Sequence, residues 1–239
     1  PFRDLVVSPG LTVPALIDNP LSVNCVKTVS QSGQQRLVLV PQRTWAYPSA
    51  ADDIYTIGTI GDVVQVLSMP DGAMHLLVHT TGVVKLSNIE VQDGVFVADT
   101  EPVFITEDMD DEKTLALRDI LAENMNALAN ATRRFKPEKL RNVMNNYPLP
   151  AFVDAIIQTA DIDNDTAVKV LGATSWAEKL TILLEAVKLM LETAKIEESI
   201  NRRIHQQMEN GRREAILQEK MRALQKEMGE DDGEVDTAN

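Results

Sequence analysis

Two histidines four residues apart form the pair whose spacing could serve metal chemistry. On a helix, His75 and His79 would lie on one face and could share a metal ion. The surrounding run, residues 73–80, predicts a strand instead. Four residues along a strand separate the two side chains by roughly 13 Å, which is too far for one ion. We therefore interpret both as ordinary cross-strand or surface histidines.

Three alternating aspartates resemble the start of a calcium-binding loop. Asp161, Asp163 and Asp165 have the spacing of its first ligands. The sixth position, however, is Thr166 rather than glycine, and the twelfth is Gly172 rather than glutamate. Helix capping and solvated loop charges explain these aspartates better, so no metal site is predicted.

Catalytic motifs are absent from the sequence. There is no Gly-x-x-x-x-Gly-Lys-Ser/Thr loop for a nucleotide, no Gly-x-Ser-x-Gly elbow and no metalloprotease histidine pair. Cys25 lies on the apolar side of a predicted short helix without a histidine near it in sequence, which is typical of a small core residue. The sequence therefore predicts no catalytic residue and no cofactor in this chain.

Two aromatic residues in a loop are the best candidates for binding. Trp45 and Tyr47 follow a predicted strand in a segment rich in proline, serine and alanine. They either anchor this loop or form an apolar contact surface for a peptide. Met69 and Met74, on the two sides of a predicted hairpin turn, are adaptable neighbours for such a surface. These four residues are the candidate substrate-binding site.

The charge distribution bears on possible partners. The formal net charge is −13, and residues 1–111 hold 5 Lys/Arg against 14 Asp/Glu, a net of −9. Because nucleic-acid binding depends on basic residues that displace counterions, no specific nucleic-acid partner is expected for this part. No apolar run approaches the roughly 20 residues of a membrane helix. The single cysteine excludes an internal disulfide.

Short β-branched runs between turn signals predict strands in the first half of the chain. Residues 70–72, Pro-Asp-Gly, predict a hairpin turn, and Gly58 and Gly61 predict bends or bulges. One helix interrupts the strands, with Asn19 as its cap and Gly33 at its end. The predicted strands cover residues 36–42, 54–69, 73–80, 82–91 and 95–106. Together they indicate a small, partly closed β-barrel.

A helical pattern replaces the strands after about residue 110. A helix is predicted over 110–130, and Asp165 can cap another. Ser175 and Glu178 form a capping box that starts the last helix. We predict a β-domain at 1–109, a helical bundle at 110–191, a long helix at 192–229 and an acidic flexible tail at 230–239.

The last helix narrows to a short apolar seam towards its end. The seam steps by 4, 3 and 4 residues and consists of Leu217, Met221, Leu224 and Met228. Such a helix should project from the bundle and pair with a second copy or dock on another domain. Gly211 is its weak point, because glycine costs a helix about 1 kcal/mol relative to alanine.

Three segments carry motifs of a known family. They are PFRDLVVSPGLTVPALI (1–17), DIYTIGTIGDVVQVLSMPDGAMHLLV (53–78) and INRRIHQQMENGRREAILQEKMRALQKEMGEDD (200–232). The third segment is the most specific, through Arg213-Glu214, Leu217, Gln225-Lys226-Glu227 and Gly229-Glu230. In this order the segments resemble the N-terminal region of Lon, the ATP-dependent serine protease family. Ser8 and Ala215-Ile216 replace residues that are usually aromatic there.

The resemblance implies an α+β fold, in which a small PUA-like β-barrel domain is followed by an all-α bundle that ends in a long projecting helix. It implies a non-catalytic region for substrate recognition and hexamer assembly, with unfolded or degron-bearing proteins as substrates. The catalytic serine and the sites for ATP and Mg²⁺ would belong to domains downstream. It also implies the bacterial cytoplasm or, alternatively, the mitochondrial matrix. Since the chain starts at Pro1, we expect a trimmed N-terminus.

Two alternative functions stay open. A free-standing PUA-like module could bind a small ligand or RNA, and a pure coiled-coil scaffold would explain only the last helix. A stop codon after Asn239 would favour the free-standing module. An open reading frame that continues to a nucleotide-binding loop would favour the protease region.

Overall fold

The computed structural model describes residues 1, 6–44, 46–132 and 147–231, with side chains as far as residue 224. Trp45 and nearly all of the predicted acidic tail lie outside the described residues. The chain divides into two compact units, Pro1–Met190 and Leu191–Asn239. The finer domain limits given above stay a prediction.

Strands precede most of the helices, as the sequence predicts. The strands are β1 (Thr12–Ile17), β2 (Arg36–Leu39), β3 (Ile57–Ser68), β4 (Met74–Gln92) and β5 (Val95–Val103). The helices are α1 (Pro20–Gln31), α2 (Glu112–Thr132), α3 (Leu149–Thr159), α4 (Asn164–Gly172) and α5 (Trp176–Asp231), with a short 3₁₀ helix at Ala51–Asp53. None of these helices is long and apolar enough to cross a membrane. The α+β class with a long C-terminal helix is confirmed.

All five strands form one antiparallel sheet centred on β4. The order is β1-β4-β3-β2, and β5 also pairs with β4. Residues 74–79 of β4 pair with β1 and residues 83–92 pair with β5, so these two strands follow each other along one edge of β4. Within the described residues no ladder joins β1 to β2. The sheet is therefore open, which corrects the predicted partly closed barrel.

The glycines of β3 mark places where neighbouring strands approach closely. A Cβ atom on Gly61 would lie 2.6 Å from Val78 Cγ1, and one on Gly58 would lie 2.8 Å from the Leu39 carbonyl oxygen. The pairing register shifts between Ile60 and Gly61. The predicted irregularity is confirmed at Gly61, and at both positions the lack of space for a side chain explains why the residue is glycine.

Long-range pairing changes two of the predicted strand boundaries. The sequence predicts separate strands at 73–80 and 82–91, but β4 runs through both. Gly82 stays in the ladder opposite Ile60, because β3 pairs with β4 on both sides of it. β1, which has no strand prediction, pairs along its whole length with β4. A partner strand supplies here the extended conformation that local sequence does not indicate.

Turn and cap predictions in the first half are confirmed. Gly72 has a φ of +90°, and its N–H donates to the Met69 carbonyl at 3.1 Å. Asn19 Oδ1 accepts a hydrogen bond from Leu21 N at 2.9 Å and caps α1. Gly33 follows this helix with a φ of +71°, a conformation that favours glycine.

The caps of α4 and α5 need correction. Asp163, not Asp165, caps α4, since its Oδ1 accepts from Thr166 N at 2.9 Å. Ser175 Oγ does accept from Glu178 N at 3.1 Å, as predicted for α5. The returning bond of the capping box differs, because Glu178 accepts from Thr174 N rather than from Ser175 N.

A distant aspartate completes the start of α5. Asp108 accepts hydrogen bonds from Trp176 N at 2.8 Å and from Ala177 N at 3.1 Å. Desolvation is the largest single influence on Asp108 and raises its pKa, but these and other hydrogen bonds together outweigh it, so the pKa is lowered. The two bonds also satisfy two free N–H groups of the first turn. The segment after β5 is thereby attached to the start of α5.

Two kinds of core stabilise the first unit. One lies on the inner face of the sheet under α1, and the other contains helix residues buried away from solvent. A further cluster contains both strand and helix residues, since Val168 of α4 packs with Val40, Ile54, Tyr55 and Leu86 of the sheet region. The fully buried helix residues include Leu121, Met125, Phe152, Ile156, Leu180, Leu183 and Val187.

The described residues of the second unit all belong to helix α5. Every residue from 195 to 224 is exposed, including the apolar ones. Gly211 does not interrupt the helix. This segment therefore has helical periodicity without burial.

Candidate functional site

The histidine pair is placed on a strand, as predicted. His75 and His79 are both exposed on the outer face of β4. His79 Nδ1 lies 3.0 Å from Thr12 Oγ1 on the neighbouring strand. Within the described part of the chain, no group of three or more His, Cys, Asp or Glu side chains is arranged to hold a metal ion.

The aspartate trio has structural partners instead. Asp163 caps α4, and Asp165 Oδ1 accepts a hydrogen bond from the Tyr55 hydroxyl at 2.8 Å. Desolvation and this bond raise the pKa of Tyr55 to about 12. The Arg43 guanidinium lies 4.5 Å from the centre of the Tyr55 ring. These contacts attach α4 to the strand region, and sequence reasoning missed them because they join distant segments.

The thiol of Cys25 behaves as a core group. Cys25 is half-buried, and its Sγ accepts a hydrogen bond from Phe96 N at 3.3 Å. Burial is the largest influence on this thiol and raises its pKa. A thiol kept protonated is a poor nucleophile, which agrees with the interpretation as a core residue.

Two exposed leucines with a histidine between them, on the outer face of the sheet, are the main feature that the sequence patterns did not reveal. In the pairing register, Leu16 of β1 lies opposite His75 of β4, which lies opposite Leu67 of β3. All three side chains point to the outer face, and Leu16 and Leu67 are 57% and 54% exposed. Two leucines from strands far apart in sequence are thus brought to one exposed surface.

Two predicted binding residues lie at the same end of the sheet. Met69 is exposed two residues after Leu67 and begins the hairpin turn. Tyr47 is exposed, and its hydroxyl donates to Asp18 Oδ2 at 3.1 Å, two residues after Leu16. We call Leu16, Tyr47, Leu67 and Met69 the outer patch.

Met74, the fourth candidate binding residue, is not part of the outer patch, and its role in binding stays a prediction. Met74 is only 7% exposed and belongs to the core under α1. Alternation along the strand turns it inward, whereas His75 beside it faces outward. Trp45 lies outside the described residues, so its role stays a prediction.

The loop that carries Tyr47 is held by its own polar contacts. Asp53 Oδ2 accepts hydrogen bonds from Ser49 N at 2.8 Å and from Ala50 N at 3.0 Å. These backbone bonds are the largest cause of the lowered pKa of Asp53. Gln42 Nε2 donates to the Thr44 carbonyl at 2.7 Å on the other side of the loop. These contacts therefore hold two described parts of the loop, residues 42–44 and residues 49–53.

The predicted seam of the long helix is exposed where it is described. Leu217, Met221 and Leu224 are all exposed, and the side chain of Met228 lies outside the described residues. Their spacing places them along one stripe of α5. The seam as a surface for self-association stays a prediction.

Comparison with a family model defines the class of protein. Residues 1–188 match the model for the ATP-dependent protease La (LON) substrate-binding domain. This range includes the whole sheet, the outer patch and the first turns of α5. The chain belongs to this family of substrate-binding domains.

Individual relatives agree with this assignment. Lon protease 1 of Myxococcus xanthus is 28% identical over 237 residues, which is 97% of this chain. The Lon protease of Buchnera aphidicola subsp. Baizongia pistaciae is 27% identical over 237 residues, which is 99% of this chain. These alignments cover 29% and 30% of the relatives, so the chain spans about three tenths of their length.

A solved structure has the same fold. The N-terminal domain of the Mycobacterium avium complex Lon protease superimposes with a TM-score of 0.54 at 18% sequence identity. The match covers 78% of this chain and 94% of that one. The similarity supports the fold of a sheet region followed by helices.

Proposed function

We propose that this chain is the substrate-recognition region of a Lon-type ATP-dependent protease and that it selects unfolded or degron-bearing proteins. The family is one of substrate-binding domains, and the relatives are named Lon proteases. A region that recognises unfolded chains needs exposed apolar surface, since folded proteins hide theirs. The outer patch is the observation that carries the proposal.

The outer patch has the properties of a contact surface for an unfolded chain. Leu16 and Leu67 supply aliphatic area on a rigid sheet, and Met69 supplies an adaptable side chain beside them. Tyr47 adds an aromatic ring whose position is set by its bond to Asp18. A surface of this kind recognises hydrophobic character rather than a defined sequence, because its contacts are mainly apolar.

Replacing both leucines tests the patch. The double variant L16T/L67T introduces threonine, a β-branched residue that suits a strand, and removes most of the exposed aliphatic area. We expect binding of reduced, carboxymethylated lactalbumin to weaken by at least about tenfold, because two apolar contacts are lost. Fluorescence anisotropy measures this affinity, and the thermal midpoint should stay nearly unchanged.

A matched variant removes apolar surface elsewhere in the same unit. Leu115 and Ile120 are exposed on α2, so L115Q/I120Q should bind the denatured protein as the wild type does. The proposal fails if both double variants lose affinity equally, or if L16T/L67T binds normally. We also expect the variant W45A/Y47A to capture denatured protein more weakly with a nearly unchanged thermal midpoint. A large loss of stability with unchanged capture would show that these two aromatic residues only anchor the loop.

The same proposal assigns no catalysis to this chain. ATP, Mg²⁺ and the protease dyad would be used by other domains of the parent protein, which would act as a hexamer in the bacterial cytoplasm. The purified chain should then hydrolyse neither ATP nor casein. Turnover that co-purifies with the chain through several orthogonal columns would contradict this assignment.

A further inference from the structure

A cavity of about 230 Å³ lies between the strand region and helices α3 to α5 in the first unit. Its walls are mainly apolar and come from six different segments of the chain. The floor is formed by buried residues, among them Val83 of β4, Val153 of α3 and Leu171 of α4. Ile157 and Trp176 are partly exposed and contribute to its lining. The cavity is distinct from the outer patch, because they share no lining residue.

Three polar side chains converge on this apolar cavity. Ser8 Oγ donates a hydrogen bond to Asp154 Oδ1, which leaves the second carboxylate oxygen without a partner among the described residues. Lys179 is 4% exposed, and its ammonium donates to the carbonyl oxygens of Val170 and Leu171. An ammonium has three N–H groups, and these two carbonyls use two of them. The ammonium also lies 5.9 Å from the centre of the Trp176 ring, which lines the same cavity.

The carboxylate and the ammonium line one cavity without forming a close ion pair. Desolvation raises the pKa of Asp154 and lowers the pKa of Lys179 to about 8. The two charges attract each other, and each also has hydrogen bonds, but desolvation is the largest influence on both groups. A ligand with one N–H donor and one carbonyl acceptor would complement both groups at once.

We propose that this cavity binds one large apolar residue of an unfolded polypeptide together with a peptide group beside it. The apolar side chain would fill the cavity, while the peptide N–H would donate to Asp154 and the peptide carbonyl would accept from Lys179. A cavity of roughly 150 Å³ already accommodates benzene, so the volume here suits a phenylalanine or leucine side chain. The inference rests on the proposed function and adds an anchoring position to the outer patch.

Blocked amino acids test the cavity on the full chain. N-acetyl-phenylalaninamide supplies the side chain and the peptide groups, N-acetyl-alaninamide lacks the large side chain, and toluene lacks the peptide groups. We expect saturable NMR shifts of the Trp176 indole with the phenylalanine probe and at least tenfold weaker binding of the alanine probe. Equal binding of the two amides, or no saturable binding of the phenylalanine probe, overturns the proposal.

One conservative variant distinguishes the polar contact with Asp154 from occupation of the cavity by an apolar group alone. D154N should weaken the phenylalanine probe about tenfold and leave toluene unchanged, because only the amide uses the carboxylate. D119N, at an exposed aspartate of α2, is the control and should bind both probes as the wild type does. Unchanged affinity of D154N for the phenylalanine probe contradicts the assigned contact. If D154N does not fold, the comparison of the two amides in the wild type still decides.

The failures of the two proposals can be told apart. If L16T/L67T loses denatured protein while the phenylalanine probe does not bind the wild type, the cavity inference falls and the proposed function stands. If the probe binds as expected but the wild type captures no denatured protein, the proposed function falls with the substrate assigned here. Displacement of the probe by denatured lactalbumin supports both.

Discussion

The first and last parts of helix α5 carry apolar residues at the same helical spacing but differ in burial. Leu183 is fully buried in the first unit, whereas Leu217 is 60% exposed in the second. Both positions satisfy the pattern that predicts a helix with one apolar side. The difference teaches that periodicity specifies the helix, while burial depends on what other segments place against it. Four predictions test this difference, from the largest expected effect to the smallest.

Truncation of one leucine in each part of α5 should lower the free energy of unfolding by unequal amounts. L183A should lower the free energy of unfolding by about 2–5 kcal/mol, because a buried side chain is removed and a cavity remains. L217A should change it by less than about 0.5 kcal/mol, since the side chain is already in water. Urea titrations followed by circular dichroism measure both. Similar costs for the two variants would show that the seam is buried in solution.

Lysines of the two parts should differ in their effect on the pH dependence of stability. Lys179 is charged in both states below pH 8, so the cost of its desolvation is fully present there. Between pH 8 and 10.5 the unfolded chain keeps this proton while the folded chain has lost it, so stability increases with pH. Relative to K179M, the wild type should gain up to about 3 kcal/mol across this range.

The control for that experiment is the exposed Lys195 of the second unit, compared with K195M under the same conditions. Urea midpoints at half-unit steps of pH supply the data. A difference between wild type and K179M that stays constant from pH 7.5 to 10.5 would mean that Lys179 is solvated.

Replacement of glycine by alanine should change stability in opposite directions in the sheet and in the last part of α5. At Gly61 a new Cβ would lie 2.6 Å from Val78 Cγ1 and 2.8 Å from the His79 carbonyl oxygen, so G61A should destabilise the sheet by about 1–3 kcal/mol. At Gly211 nothing lies within 4 Å, so G211A should stabilise the helix by about 1 kcal/mol.

Hydrogen exchange reports both glycine effects locally. Amides of β3 and β4 should exchange faster in G61A, and amides around residue 211 should exchange more slowly in G211A. Slower exchange in G61A, or unchanged exchange in G211A, would contradict the contrast between a crowded and an open backbone.

Self-association through the seam is the smallest expected effect. The variant L217D/L224D places two carboxylates in the apolar stripe, where burial without partners is unfavourable. It should abolish weak, concentration-dependent association in sedimentation experiments and leave the first unit folded. A215D/A223D adds the same charge away from the seam and should associate as the wild type does. If association is equal in both variants, the seam does not mediate it.

Local sequence signals predicted the elements whose cause is local. The turn at 70–72, the cap at Asn19 and the helix that starts near Ser175 depend on residues within a few positions of each other. The predicted cap of α4, Asp165, lies two residues after the observed cap, Asp163. The local sequence does not distinguish them, because both have a suitable side chain. Asp165 instead accepts a hydrogen bond from the hydroxyl of Tyr55, which is more than a hundred residues away in sequence and is not visible in the local pattern.

The candidate binding residues show the same difference between features with a local cause and features that depend on distant segments. Tyr47 and Met69 were predicted as exposed loop and turn residues, and they are exposed. Met74 was predicted as their neighbour beside the hairpin, but it is buried, because alternation along the strand turns it inward. Leu16 and Leu67 were not singled out at all, since nothing in their neighbourhoods distinguishes an outward leucine from an inward one.

By itself the sequence determined the family, the change from strands to helices and the helical character of the last segment. These follow from motifs, turn residues and periodicity, which act over short distances along the chain. Only the tertiary structure decided that the sheet is open, that Leu16 and Leu67 share an outer face, and that Asp154 and Lys179 line one cavity. Strand register and desolvation cause these features, and both depend on contacts between segments that are far apart in sequence.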